Sequence, residues 1–296
     1  MKKAITVLMI WLLTEGASAQ HDSFEVLNPK VGQGEVLVIK IAPQWMPPAT
    51  SNPSISVFGN RYIPNKYGEV FVGIPLDAKL GIDIVTLVEY GRGVRLSWDY
   101  EEVEVVPNDF PVRIRGPFTP TPKWRRERQS ISQAFNLGDY SERYFDGEFI
   151  KPLDEIIVDE ERMIGEESSP FGQGHNGIDL TTMDPKTGKH KRPVKAINSG
   201  KVALIARNYS TEGNMVIIDH GSGIFSVYMH LSKFLVSKVG QTVKGGDVIA
   251  MSGDTGSAKR GGAHLHFSIK VRSKDGKSDV YIDPLGFIAM MNQLVK

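Results

Sequence analysis

The 296-residue sequence contains no cysteine. Disulfides are therefore excluded, and so are the thiolate sets that usually close a structural zinc site. Any metal centre must be built from histidine and carboxylate. An excess of one charge is lacking too. With 35 Lys and Arg against 34 Asp and Glu the formal charge is +1, and no long basic run offers a footprint for a phosphate backbone. No nucleic-acid partner is expected. The small basic cluster of Trp124, Arg125, Arg126 and Arg128 fits a solvated helix face at least as well as a binding patch. Beyond Ala19 no long apolar run occurs, so no stable membrane span is expected in the mature chain.

What is present begins at the N-terminus. Lys2 and Lys3 precede an apolar run from Ala4 to Leu13, followed by the small residues Ala17, Ser18 and Ala19. This is the layout of a secretory signal peptide over residues 1–19, with an apolar run too short to span a membrane. Cleavage after Ala19 would leave an exported chain, periplasmic or extracellular. An uncleaved anchor is the lesser reading, and lipoprotein anchoring is excluded because no cysteine follows the run.

Hydrophobic content of 41% and charged content of 23% are those of a globular protein, and the length allows two domains. Residues 20–108 hold short alternating runs, such as Glu35–Ile41, Ser54–Phe58, Glu69–Ile74, Asp83–Val88 and Val94–Tyr100, separated by turn residues. That pattern predicts an immunoglobulin-like β-sandwich, a binding or spacer module. Residues 109–147 read as a linker with a helical segment, with Thr121 as cap and Pro122 in the first helical position. Strand patterns return over 148–296, at Gly200–Ala206, Asn214–Asp219, Phe225–Met229, Asp247–Met251 and in "GGAHLHFSIK". A terminal helix is expected over Pro284–Leu294.

The histidines carry the chemistry. His21 and His190 read as solvated, and His220 as a turn residue beside Gly221 and Gly223. His175 and Asp179 lie four apart with Gly177 between them, which lets the backbone curl so that both side chains converge. His230 ends an apolar strand. His264, His266 and Ser268 share one face of a strand whose other face carries Leu265, Phe267 and Ile269. Each signal is modest alone. Together, His175, Asp179 and one histidine of the pair supply the three protein ligands of a catalytic metal site, with a fourth place for water. The other histidine of the pair and His230 would stand beside the metal as proton-transfer or oxyanion-stabilising groups. A closed, purely structural site is disfavoured by the absence of cysteine.

"HNGIDL", "VYMHLSKF" and "GGAHLHFSI", in this order, resemble the motifs of the LytM/lysostaphin-type zinc metallopeptidases. The connecting text, "RPVKAINSGKVALI" and "VGQTVKGGDVIAMSGDTGS" among it, is similar as well, and the resemblance runs over roughly 148–288. It implies an antiparallel β-sheet peptidase domain over 148–296 with its metal in a groove, which together with the β-sandwich pattern before it makes the chain all-β. It also implies His175, Asp179 and His266 as Zn²⁺ ligands, and His230 and His264 as catalytic histidines. The substrate class it implies is the stem or cross-link peptides of bacterial peptidoglycan. Tyr228 is expected to line the groove or to be a packed aromatic, and Asn214 to border the groove. Two departures bear on substrate choice. "TTMDPKTGKHKR" is longer than the family's usual connection, and no arginine follows Phe171-Gly172. A non-enzymatic wall binder or amidase activator on the same fold, and an exported metallopeptidase acting on protein, are the competing readings. The first module could bind wall, engage a regulatory partner or cover the groove.

Overall fold

A computed structural model describes residues 23–47, 53–91, 94–110, 119–154, 175–182 and 190–294, apart from the side chains of 89–98 and 260–261. The signal-peptide reading of 1–19 lies outside these residues, as do the segments 155–174 and 183–189.

The first half contributes eight strands: β1 (Phe24–Val26), β2 (Lys30–Gly32), β3 (Val36–Ile41), β4 (Ser54–Val57), β5 (Asn60–Tyr62), β6 (Glu69–Gly73), β7 (Gly81–Gly91) and β8 (Val94–Val106). They form two sheets, ordered β1-β3-β6 and β2-β8-β7-β4-β5. Leu37, Ile39, Val70, Val72, Ile55, Val85 and Val103 fill a core shared by the two sheets. Pairing is antiparallel except between β2 and β8, which run parallel. β3 reads VLVIKI rather than a clean alternation because both of its faces are covered. Leu37 and Ile39 face the first core, while Val36 and Val38, with Phe71 of β6, belong to the core of the second half.

Helix α1 (Pro122–Asn136) follows, started as its sequence predicts: Pro122 is in the first turn and the Thr121 hydroxyl accepts from Trp124 N at 3.1 Å. Then come β9 (Ile178–Thr181), β10 (Pro193–Lys195), β11 (Gly200–Tyr209), β12 (Gly213–Asp219), β13 (Ile224–Met229), β14 (Lys233–Phe234), β15 (Thr242–Val243), β16 (Val248–Met251), the single turn α2 (Ala258–Gly261), β17 (His264–Arg272), β18 (Asp279–Ile282) and α3 (Pro284–Leu294). A seven-stranded antiparallel sheet runs β15-β11-β12-β13-β17-β18, with β9 also pairing with β17, and β10-β16-β14 form a small sheet beside it. One face of the large sheet presents Val216, Ile218, Tyr228, Leu265, Phe267 and Ile269 to the main core, closed by Phe287 and Ile288 of α3. The other face carries Met215, Ile217, Phe225 and Val227 beneath Ile131, Ala134 and Phe135 of α1. The same face, further along β17, carries His264, His266 and Ser268.

Candidate metal centre

The site is assembled by strand register. β9 pairs with β17 so that Asp179 stands directly across from His266, and β13 places Met229 on the other side of His266. Cross-strand partners share a face and lie about 5 Å apart, close enough for their side chains to meet. His175 enters from the residues just before β9. His175 Nε2 lies 3.1 Å from Asp179 Oδ1 and 3.1 Å from His266 Nδ1, and His266 Nδ1 lies 2.9 Å from Asp179 Oδ1. All three side chains are buried. Among the described residues, these three are the group of side chains able to hold a metal ion.

Three donors around a tetrahedral Zn²⁺, each about 2.0–2.1 Å away, would stand roughly 3.3 Å from one another. The observed triangle of 2.9–3.1 Å needs only a few tenths of an ångström of opening, and two imidazoles with one carboxylate are a suitable donor set, so the residues fit the ion. Burial alone would raise the Asp179 carboxyl, but the His175 and His266 imidazoles set against it hold it well below the ordinary carboxylate range. Burial lowers His266, which favours the neutral imidazole that a ligand requires.

The orientation of His266 has a visible cause that the sequence reading missed. Its Nε2 lies 2.9 Å from Ser268 Oγ, and Ser268 is fully buried. With Nε2–H donated to that hydroxyl, Nδ1 is unprotonated and turned to the cluster, which is the tautomer that a metal ligand requires. The signal was the two-residue spacing that puts Ser268 on the face of His266. Gly177 acts differently from the expected backbone curl. Its φ is not in the left-handed region; a Cβ there would instead lie 2.4 Å from Phe267 O, 2.5 Å from Ser268 Oγ and 3.0 Å from His266 Nε2. Glycine is required because the chain passes against the His266–Ser268 hydrogen bond.

The two remaining histidines stand beside the triad. The His230 and His264 rings are 4.7 Å apart between centroids, and His264 Nε2 is 3.6 Å from Asp179 Oδ2. His230 Nδ1 meets Thr255 O and His264 Nδ1 meets Gly262 O, each at 2.8 Å. A carbonyl can only accept, so both rings carry the proton on Nδ1 and present Nε2 as a base. Burial, reinforced by His266 and His264, lowers His230 to about 3 and keeps it neutral.

His230 lies just past β13 with φ +64°, in the left-handed region. That twist ends strand alternation at Met229, so Tyr228 does not share the face of His230. Of its two expected roles Tyr228 fills the packed one: it is fully buried on the opposite face, accepts from Ile197 N at 3.1 Å and lies against Phe267. Asn214 is a brace behind the site, donating to Leu231 O at 3.0 Å and accepting from Asn208 N at 3.1 Å. His220 follows β12, but it is a core residue more than a turn former. It is buried between Ser199 O and Ser226 Oγ, both at 2.8 Å, and burial lowers it to about 4. His190 is exposed as expected, and His21 lies outside the described residues.

Residues 173–284 match the profile of peptidase family M23. ShyB of Vibrio cholerae, a peptidoglycan DD-endopeptidase, is 40% identical over 100 residues, covering 34% of this chain and 21% of that protein. Lysostaphin of Staphylococcus simulans is 39% identical over 97 residues, covering 32% of this chain and 19% of that protein. The matches thus span about a fifth of these relatives' own lengths. A crystal structure assigned to peptidase M23 from Pseudomonas aeruginosa is similar with a TM-score of 0.55 at 26% identity, covering 89% of this chain and 96% of that chain.

Proposed function

Through residues 173–284 the chain belongs to peptidase family M23, and on that premise we propose that it is an exported zinc endopeptidase hydrolysing peptide bonds in the stem or cross-link peptides of bacterial peptidoglycan. The observation that carries this reading is the arrangement of five side chains. Three buried donor atoms lie within 3.1 Å of each other, and two further imidazoles beside them have their Nε2 atoms left as bases. A wall binder on the same fold would need none of the last two. His175 Nε2, Asp179 Oδ1 and His266 Nδ1 would hold Zn²⁺, which supplies Lewis acidity and makes water ionise near neutral pH.

His230 and His264 then move the protons. An attacking water loses a proton to the Nε2 of one of them, and the departing amine needs one back. The two rings are near enough for the imidazolium so formed to stabilise the developing oxyanion. His230, lowered to about 3, stays neutral; His264 is the more exposed of the two and faces incoming substrate. Ser268 keeps His266 from turning its protonated nitrogen inward. Residues 1–19 are read as the export signal, and 20–108 as an immunoglobulin-like binding or spacer module, engaging wall or a regulatory partner.

The test is digestion of purified peptidoglycan sacculi, with the released fragments identified by mass spectrometry. Peptide-bond products are expected with Zn²⁺ present, lost with a chelator and restored by added zinc. His266→Ala should release nothing. Sacculi left intact under all conditions would sink the substrate assignment, and full activity in His266→Ala would sink the ligand assignment.

A further inference from the structure

Helix α1 precedes the family-matched region, yet three of its side chains grip the β11–β12 hairpin at alternate residues. Lys123 Nζ donates to Asn208 O at 2.9 Å. The Glu127 carboxylate accepts from Ser210 N at 3.0 and 3.1 Å. Arg128 forms an ion pair with Glu212, whose side chain is 3% exposed, and the guanidinium also lies over the Trp124 ring at 5.4 Å. Arg125 and Arg126, by contrast, are exposed. The basic cluster therefore divides into a solvated pair and one arginine committed to the hairpin.

The hairpin in turn fixes His230 at both of its polar handles. His230 N donates to Glu212 O at 3.0 Å. His230 Nδ1 donates to Thr255 O, and Thr255 is clamped from the hairpin side: Asn214 N donates to its Oγ1 at 2.9 Å, and a Cβ on Gly213 would lie 2.3 Å from that same oxygen. Two residues on, Ser257 N donates to Thr211 O at 2.9 Å. His230 needs such anchoring because its backbone is held at φ +64°, which a non-glycine residue does not keep without support. We propose that the Arg128–Glu212 pair makes α1 a positioning element of the peptidase, locking the hairpin that holds His230 in its left-handed conformation. Neither residue reaches substrate in this scheme; both act through His230. Breaking the pair leaves a buried charge facing no partner, since Glu212 is 3% exposed and its Oε2 already has no hydrogen bond, and the hairpin must shift to hydrate it.

The inference rests on the peptidase reading for its activity readout, so a second readout stands apart from activity. In the full chain, Arg128→Met and the isosteric Glu212→Gln should each lower kcat about ten- to a hundredfold, the scale of a roughly 1 Å misplacement of a catalytic group. KM should stay within about twofold, and one bound zinc per chain should be retained. Arg128→Lys should recover part of kcat, and Arg125→Ala, on the solvent side of the same helix, should leave it unchanged. The backbone amide resonance of His230 should move in Arg128→Met and Glu212→Gln but not in Arg125→Ala. Unchanged kcat with only a lowered melting temperature would overturn the proposal. If the wild-type chain cleaves no peptidoglycan, the substrate reading fails and the His230 amide decides alone: a moved resonance supports the positioning role, an unmoved one overturns it.

Discussion

The Ser268 hydroxyl holds Nε2 of His266 at 2.9 Å, with Nδ1 turned to the cluster. Ser268→Ala should therefore weaken zinc binding by roughly 10- to 100-fold, measured by competition with a chromophoric chelator, while the fold is retained. Gly177→Ala should be more severe. Its Cβ meets a backbone oxygen at 2.4 Å, which cannot yield as a flexible side chain could, so both metal affinity and thermal stability should fall. A third residue, His220, ties the site-bearing sheet to pH. Burial holds it at about 4 when folded, against an ordinary 6.5. Between those values the unfolded chain takes up a proton that the folded chain refuses, so this contribution is complete above pH 6.5 and is lost as pH falls toward about 4. Asp219, raised to about 6 by burial, has the opposite sign over much of the same window. Urea denaturation of His220→Gln against wild type isolates the histidine: the wild-type stability should drop more steeply on acidification, by up to about 1.4 kcal/mol per pH unit.

Among the elements, β13 and β17 do most to locate the chemistry, and they show what a sequence can and cannot disclose. The alternation in "HLHFSI" identifies β17 and both of its faces, because a strand's period of two is a property of the chain itself. The same rule applied to "YMH" misplaces Tyr228, because the period fails where His230 turns left-handed, and no residue type there announces it. Thr121-Pro122 marks the start of α1 for the same local reason that helix caps are readable at all. The short strands β9, β10, β14, β15 and β18 carry too few residues to show a period; they exist because longer neighbours offer them hydrogen-bond partners. The grouping of His175, Asp179 and His266 was legible from motif order, whereas the Glu212–Arg128 ion pair was not, since it joins residues 84 positions apart in sequence through the fold alone. Tyr228→Phe tests the corrected role. Losing the acceptor for buried Ile197 N should cost about 1–3 kcal/mol in chemical denaturation and leave zinc binding intact.

On the scale of the whole molecule, the first and second halves share a core. Val36, Val38 and Phe71 pack with Phe145, Phe149, Ile224 and Val271, and a Cβ on Gly73 would lie 2.9 Å from Val280 Cβ. The contact falls on the later residues of β17 and on β18, while the histidines stand at the start of β17. No helix among the described residues is long and apolar enough to cross a membrane. Phe71→Ala should destabilise the chain by about 3–5 kcal/mol and lower the unfolding temperature of the half that carries His175, Asp179 and His266 along with its own, as one calorimetric transition rather than two.

That common core bears on any attempt to re-engineer this chain. Hydrolases built as beads on a string can trade targeting modules by cutting a tether. Here a cut between the halves would strip greasy strand surface from both pieces, so the transplantable unit is the histidine-bearing half together with the sheet that leans on its shoulder.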